Sequence, residues 1–394
     1  MMRFAVLIVA LFAGAACGGR KNIQCEQDSN CDLSGGGTCI AGGTGMWCAY
    51  PDPACPSGYR YSDLDVEGSV SGQCVPDNMP DAGVDAAPPM DAPSAVPYSC
   101  VALPHLCGAN GDDDCCNAPT VPGGTYYRSY DLAGDSLSGD MNSPATISSF
   151  RLDKYEVTVG RFRAFVAAGQ GNQVKHPATG AGANPKIAGS GWDASWNASL
   201  PADTAALVAQ LKCSSMYQTW TDTAGANETR PINCITWYEA MAFCAWDGGF
   251  LPTEAQWNFA ATGGSDQRAY PWSNPASSTT LDATHASYYA GSSYCTGDGM
   301  SGCTIDDLVK VGTMTAGVGR WGHAEMTGNV DEWVLDFYGT YDSLCTDCAN
   351  LVASANRVHR GGPFNGGGGI LRTGFRQPAA PTTVMYSTGF RCAR

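Results

Sequence analysis

The sequence predicts an α+β domain with few long elements, preceded by a small module rich in disulfides. Three observations support this fold class. Short stretches with helical spacing of apolar residues alternate with long aperiodic stretches, and the 394 residues include 49 glycines. The 19 cysteines lie in separate groups, which is typical of exported chains. The chain from residue 119 onward is long enough to bury a large core, and it holds most of the tryptophans.

The first 16 residues have the pattern of a secretory signal. Arg3 precedes an apolar run from Phe4 to Ala13, and small residues then lead to Cys17. A cysteine in this position predicts lipidation, which would make Cys17 the mature N-terminus. A plain cleaved signal and a secreted protein are the alternative. Because the apolar run is too short to cross a membrane, we expect an exported protein of the bacterial cell envelope, anchored by a lipid.

The chain between the signal and the main domain falls into three segments. Residues 17–76 are expected to form a lipidated N-terminus and a cysteine-rich module. Because this segment has little aliphatic periodicity, its order should depend on disulfides. Residues 77–97 repeat Pro, Ala and Asp without aromatic residues, which predicts an extended, acidic linker. Residues 98–118 form a second cysteine-rich segment. The main domain is then expected at residues 119–394.

The cysteines other than Cys17 fall into even-numbered groups. Six lie between residues 25 and 74, four between 100 and 116, and eight between 213 and 392. In an oxidising compartment, even groups predict disulfides within each group. Cys115 and Cys116 should bridge to two different partners, because a bond between neighbours violates disulfide geometry. Zinc bound by Cys345 and Cys348 is the alternative for that pair.

The net charge of −15 bears on possible partners. No basic run exists beyond Arg20 and Lys21. Because contacts to phosphate require clustered Lys and Arg, nucleic acid is not expected as a partner.

Two predicted helices lie in the first part of the main domain. Thr158 begins the first, which places Phe162 and Phe165 on one face and ends at Gly169. The second follows Pro201 and has an apolar stripe of Leu207, Val208 and Leu211.

Two more helices are predicted in the segment from Arg230 to Trp272, which we call the helical block. Thr236 followed by Glu239 is a capping-box pattern, and the helix after it carries Trp237, Met241 and Cys244 on one apolar face. A second capping box joins Thr253 to Gln256, and Gly263 and Gly264 end that helix.

The amino-acid sequences of this block and of three other segments resemble those of a known family. The segments are VPGGTYY with FRLDKYEVTVGRFRAF, then CITWYEAMAFCAWDGGFLPTEAQWNFAATGG, then MTGNVDEW, then RVHRGGPF with GFRCAR. They are similar, in the same order, to blocks of the formylglycine-generating enzymes, also called the sulfatase-modifying-factor family. The resemblance covers about residues 119–394. It implies an irregular fold similar to that of C-type lectins.

The resemblance also implies where an active site would lie. In this family a serine and two cysteines follow an RGGSW block, and the cysteines bind the copper(I) that oxidises a sulfatase cysteine to formylglycine. Aligned from Arg360, the serine falls on Pro363 and the cysteines fall on Gly366 and Leu371. Because copper(I) prefers thiolates, we expect neither copper nor this activity. The loop is then either an exposed connection or a remodelled binding cleft.

Two further features are implied by the resemblance. Glu325, Gly328, Val330 and Glu332 match the family's structural calcium site, whose mixture of carboxylate and carbonyl oxygens suits Ca²⁺. The alternative is a turn whose Glu accepts backbone hydrogen bonds. The family's disulfide between its AYC helix and its GFRCA segment would join Cys244 to Cys392.

These observations together predict a surface-anchored, non-catalytic binding module for a peptide, glycan or protein partner, held at the membrane by its N-terminal lipid. One alternative is a formylglycine-generating oxidase with displaced ligands. Another is an envelope protein in which residues 22–76 bind the partner and the large domain is a spacer.

Overall fold

The computed structural model describes residues 38–42, 45–51, 55, 59–61, 73–75, 96–101, 106–133, 141–342 and 344–394. The predicted signal segment, Cys17 and residues 77–95 of the predicted linker lie outside this set. The chain divides into two compact units, Met1–Ala86 and Ala87–Arg394. No helix within the described residues combines the length and apolarity needed to span a membrane.

The first unit contains a small antiparallel sheet. Its strands, in the order β1-β2-β3, are β1 (Thr38–Gly42), β2 (Gly45–Pro51) and β3 (Tyr59–Tyr61). Ala49, Tyr61 and Val75 are buried together, and a disulfide joins Cys55 to Cys74. A core this small needs covalent support, as the cysteine content predicts.

All four predicted helices form in the second unit. They are α1 (Val159–Ala167), α2 (Thr204–Gln210), α3 (Trp237–Trp246) and α4 (Glu254–Thr262). The side chains of Thr158, Thr236 and Thr253 cap α1, α3 and α4, and both predicted capping boxes are present. Asp203 caps α2. Gly263 ends α4 in the left-handed conformation, with φ of 66°, which glycine adopts without strain.

The strands of the second unit are short, and pairing between distant segments arranges them. They are β4 (Thr120–Val121), β5 (Gly124–Tyr127), β6 (Pro144–Ile147), β7 (Phe150–Arg151), β8 (Tyr289–Gly291), β9 (Tyr294–Cys295), β10 (Asp331–Phe337), β11 (Cys345–Thr346), β12 (Arg357–Arg360), β13 (Gln377–Ala379) and β14 (Thr388–Gly389). The main sheet has the order β13-β12-β10-β14, in which β14 is parallel to β10 and the other pairs are antiparallel. This mixed, irregular architecture confirms the predicted fold class.

The helical block packs against the middle strands of the main sheet. Trp237 on α3 is fully buried, and its indole Nε1 donates to the carbonyl of Val334 on β10 at 2.8 Å. Trp257 on α4 is equally buried, and its Nε1 donates to Glu332 at 2.8 Å. Both indoles therefore satisfy their polar atom while they fill the core, and this fixes where β10 lies.

Disulfides in the second unit stay within the groups that the sequence predicts. Cys115 and Cys116 bridge to two different partners, Cys107 and Cys100. The other bonds are Cys213–Cys234, Cys244–Cys392, Cys295–Cys303 and Cys345–Cys348. Because Cys345 and Cys348 are bonded to each other, they are not zinc ligands in this structure.

A buried ion network joins α1 to α3. The guanidinium of Arg161 donates to Asp153 at 2.8 Å and to Asp247 at 2.6 Å, and all three side chains are inaccessible to solvent. Arg394 pairs with both carboxylates as well. Burial by itself would raise the pKa of Asp153, but Arg161 and Arg394 hold it below its ordinary value.

Candidate functional site

The segment Pro363–Leu371, here called the glycine loop, begins directly after β12 and two special glycines. Gly361 and Gly362 have φ of 104° and 74°, values that side chains with a Cβ rarely adopt. A Cβ on Gly362 would also lie 2.9 Å from the carbonyl oxygen of Ile370. The glycine pair therefore lets the chain turn sharply while the end of the loop packs over its start.

The glycine loop is held by the MTGNVDEW turn, so two of the family-like motifs form one unit. The amide of Gly328 donates to the carbonyls of Gly361 and Gly362 at 3.1 and 3.0 Å. The amide of Phe364 donates to the carbonyl of Asn329 at 2.8 Å. Asp331 accepts from the amide of Gly362 at 2.8 Å, and its carboxylate lies 3.4 Å from His359 Nδ1.

Hydrocarbon fills the positions to which the resemblance assigns reactive side chains. Pro363 is buried, and Leu371 is fully buried beside Tyr270 and Ala286. A Cβ on Gly366 would lie only 2.4 Å from Ile370 Cδ1, because the isoleucine side chain occupies that space. The loop carries no thiol, imidazole, hydroxyl or carboxylate in its sequence, and Asn365 is its sole polar side chain.

Backbone hydrogen bonds anchor the middle of the glycine loop. The amide of Tyr289 on β8 donates to Gly366 O at 2.9 Å, and Tyr289 forms a parallel bridge with Gly367. The hydroxyl of Tyr270 donates to Gly368 O at 2.8 Å. Asn365 and Gly369 are exposed. The loop is thus fixed in place while part of its backbone faces solvent.

Two aromatic groups contact this loop. In the first, which we call the Tyr217–Tyr386 stack, the ring centroids are 4.8 Å apart, and Phe364 lies 5.6 Å from Tyr217. In the second, the Trp272 stack, the Trp272 ring lies 4.9 Å from Tyr270 and 5.0 Å from His285. The rings of Tyr217, Tyr386, Trp272 and His285 are partly exposed. Partly exposed rings with polar edges suit a binding surface.

These aromatic groups were missed by the sequence reasoning. Tyr217 and Tyr386 come from distant segments, so no local spacing brings them together. The signal for the second group was present in Tyr270 and Trp272 of the helical block, which have the spacing of a turn but give no hint of His285.

The residues predicted to hold calcium lie in the turn that supports the loop. Both oxygens of Glu332 accept hydrogen bonds from Arg391, at 2.6 and 2.8 Å, and one also accepts from Trp257. Glu325 accepts from the amides of Gly312 and Met314 at 2.9 and 3.2 Å. These two bonds to Glu325 match the alternative to calcium, which is a turn whose Glu accepts backbone hydrogen bonds.

Hydrogen bonds from the protein already reach both carboxylate oxygens of Glu325 and of Glu332. Val330 donates its amide to Glu156 Oε1 at 3.2 Å, and Gly328 uses its amide to hold the glycine loop. The part of the chain that the structure describes contains no group of three or more His, Cys, Asp or Glu able to hold a metal. Calcium stays a prediction.

Glu156 adds a third buried carboxyl to this region, which sequence reasoning did not identify. Burial raises its pKa well above the ordinary value, and the neighbouring Glu332 and Glu325 add to the shift. Arg391 opposes the shift with its positive charge. Asn329 Nδ2 donates to Glu156 Oε2 at 2.6 Å, so this carboxyl also positions the turn.

Fold and site together define a mixed, C-type-lectin-like domain in which the glycine loop rests on the MTGNVDEW turn. Residues 108–394 match the family model described as a sulfatase-modifying factor enzyme 1-like domain. The chain belongs to this family.

Individual proteins are also similar to this chain. The chain is 26% identical over 302 residues to the formylglycine-generating enzyme of Thermomonospora curvata, covering 69% of this chain and 91% of that enzyme. It is 27% identical over 167 residues to the inactive Cα-formylglycine-generating enzyme 2 of Bos taurus, covering 41% of this chain and half of that protein. The solved structure of PvdO from Pseudomonas aeruginosa is 20% identical, with a TM-score of 0.46, and 92% of it is covered by 70% of this chain.

Proposed function

We propose that this protein is a non-catalytic, surface-anchored member of its family, which binds a peptide, glycan or protein. One observation carries the proposal: the glycine loop has hydrocarbon at the three positions where the family has its serine and copper cysteines. Without thiolates, copper(I) has no ligands of the kind it prefers. Cys348 and Cys392, the cysteines nearest to this loop in sequence, are both in disulfides.

The proposed binding surface combines the Tyr217–Tyr386 stack, the Trp272 stack and the exposed part of the glycine loop. Ring faces supply contact area at low entropic cost, and hydroxyl and amide groups supply hydrogen bonds. Asn365 Nδ2 lies 3.4 Å from the Tyr386 hydroxyl, so both are oriented before a ligand arrives. Such a fixed surface loses little freedom on binding.

Substitutions in the surface test this proposal with defined probes. The full chain would be screened against a glycan array and a displayed peptide library. For any ligand found, Tyr386→Ala and Trp272→Ala should weaken binding at least about tenfold, which corresponds to about 1.4 kcal/mol. Tyr98→Ala is the control, because Tyr98 is 65% exposed and contacts Trp246 instead of the loop. Ligands that bind both surface variants as tightly as wild type would refute the proposed location.

The alternative function is a formylglycine-generating oxidase with displaced ligands. Similarity to the Thermomonospora curvata enzyme over 91% of its length favours it. It requires reactive groups other than Pro363, Gly366 and Leu371, and a test for peptide aldehyde separates it from the binding proposal.

We also propose lipid anchoring at Cys17, because a cysteine preceded by small residues follows the apolar run of the signal. Cells fed a palmitate analogue should label the wild-type protein, and Cys17→Ser should lose both the label and membrane association. An unlabelled wild-type protein in the culture medium would support the secreted alternative instead.

A further inference from the structure

Arg357 on β12 is a buried cation without an acidic hydrogen-bond partner. Its side chain is 2% exposed, and its Cζ lies 3.4 Å from the centroid of the Phe337 ring and 3.7 Å from that of Trp237. Nη1 donates to the carbonyl of Leu335 at 2.6 Å. Nε has no hydrogen-bond partner among the described residues, and none is present for Nη2 either.

Three other buried arginines of the domain have acidic partners. Arg161 pairs with two aspartates, Arg391 with Glu332, and Arg360 with Glu254 at 3.0 Å. Asp336 is a nearby acid for Arg357, but its two oxygens accept from the amides of Glu254 and Asn350. Because an isolated buried charge is costly, the unpaired edge of Arg357 calls for an anionic partner.

A pocket of about 470 Å³ opens beside this guanidinium, and Arg357 is one of its lining residues. The volume lies in the range of small-molecule sites. Hydrocarbon and aromatic side chains form most of its wall, with Trp192, Trp196, Leu335, Phe337 and Leu351 among them. The pocket shares no lining residue with the glycine loop, so this inference does not depend on the function proposed for that loop.

The geometry of the guanidinium indicates what would bind. Because Nε is shielded from solvent, a ligand in the pocket would reach the guanidinium through Nη2, whose N–H groups donate well to a carboxylate oxygen. The faces of the group are covered by Phe337 and Trp237, so a partner must approach in its plane. Asp193, the one acid that lines the pocket, would repel a second negative charge. A single cation and apolar walls therefore favour a monoanion over phosphate or sulfate.

We propose that this pocket is a binding site for a small carboxylic acid with an apolar or aromatic body. The carboxylate accepts a hydrogen bond from Nη2 of Arg357. The body lies against Trp192, Trp196 and Leu351.

Titration of the full chain with 3-phenylpropionate tests the site, with the neutral 3-phenylpropanamide as the matched probe. Calorimetry or ligand-observed NMR should show saturable binding of the acid and at least tenfold weaker binding of the amide. Ala353→Trp should abolish binding of the acid, because Ala353 is an exposed residue of the pocket wall. Ala355→Trp is the control, since Ala355 is exposed in the same segment but does not line the pocket.

Arg357→Met tests the charge itself and should remove the preference for the acid over the amide. If that variant does not fold, Ala353→Trp and the acid-to-amide ratio decide the question. The proposal is overturned if neither 3-phenylpropionate nor a panel of aliphatic and aromatic monocarboxylates binds at millimolar concentration. It is also overturned if acid and amide bind equally, or if Ala353→Trp binds like wild type.

Discussion

The helical block and the glycine loop are held in place by different kinds of interaction. The block has two capped helices, two fully buried tryptophans and a disulfide to Cys392. The loop has no charged side chain, and its backbone forms hydrogen bonds with the main chains of Asn329 and Tyr289 and with the hydroxyl of Tyr270. Side chains of the block therefore carry much of the fold, whereas the loop combines main-chain hydrogen bonds with three buried side chains, those of Pro363, Phe364 and Leu371. A domain can in this way keep its family's scaffold while its chemistry is altered.

The largest loss of stability should follow removal of the Cys244–Cys392 disulfide, which anchors the helical block. It closes a loop with a sequence separation of 148, so replacing both cysteines by alanine should lower the free energy of unfolding by about 4–5 kcal/mol. Replacing Cys295 and Cys303, which are separated by 8 residues, should cost about 2 kcal/mol less than that. Urea unfolding under non-reducing conditions measures both, and equal losses would contradict the chain-entropy explanation.

The next largest effect should come from Arg161. Arg161→Met leaves the buried Asp153 and Asp247 with Arg394 alone, which should cost about 3–5 kcal/mol. Arg320→Met is the control, because the Arg320 side chain is 42% exposed where it pairs with Asp266, and its loss should cost less than about 1 kcal/mol. Chemical denaturation of the two variants gives the comparison. A cost for Arg161→Met as small as the control's would show that the network contributes little.

Titration of Asp336 should make the stability of the scaffold depend on pH. Burial raises the pKa of this carboxyl to about 7, and the nearby Glu254 adds to the shift. The folded protein then holds the proton more tightly than the unfolded chain, so this contribution is present below about pH 4 and is lost as the pH rises to about 7. Relative to Asp336→Asn, wild type should lose about 2–4 kcal/mol over that range. Unfolding curves at about pH 4 and about pH 7 measure the change for both proteins. Equal changes in the free energy of unfolding would show that Asp336 does not cause the pH dependence.

Within the glycine loop, the cost of a side chain should depend on position. Gly366→Cys would push against Ile370 and should cost about 1–3 kcal/mol. Gly367→Cys should cost much less, because a Cβ there meets no atom within 4 Å. Thermal unfolding of the pair under non-reducing conditions tests whether Ile370 fills the space beside Gly366. Equal melting temperatures would show that it does not.

The smallest effect should come from Asn365. This residue is exposed, so Asn365→Ala should change the free energy of unfolding by no more than about 0.5 kcal/mol. Asn258 on α4 is the matched residue of the helical block, with its amide bonded to Ser129 N and Thr373 O. Asn258→Ala should cost about 1–3 kcal/mol, because it leaves buried partners unsatisfied. A loss at Asn365 as large as at Asn258 would contradict the contrast between the regions.

The same contrast explains what the sequence could predict. The four helices follow from local signals, since a cap such as Thr236 and the apolar spacing after it lie within one short segment. The strand order of the main sheet and the meeting of Tyr217 with Tyr386 depend on distant segments, so no local pattern reveals them. The resemblance to the family indicated that the glycine loop is the segment to inspect. The packing of Ile370 over Gly366 and the unpaired edge of Arg357 become visible only in three dimensions.

We propose that this protein keeps its family's scaffold without the oxidative chemistry. The full chain would be incubated with copper(I), oxygen and a Cys-x-Pro-x-Arg peptide, with the Thermomonospora curvata enzyme alongside. Mass spectrometry should find the aldehyde product with that enzyme and unchanged peptide with this protein. Aldehyde formed by this protein would contradict the proposed loss of oxidative chemistry, because it would require reactive groups other than Pro363, Gly366 and Leu371.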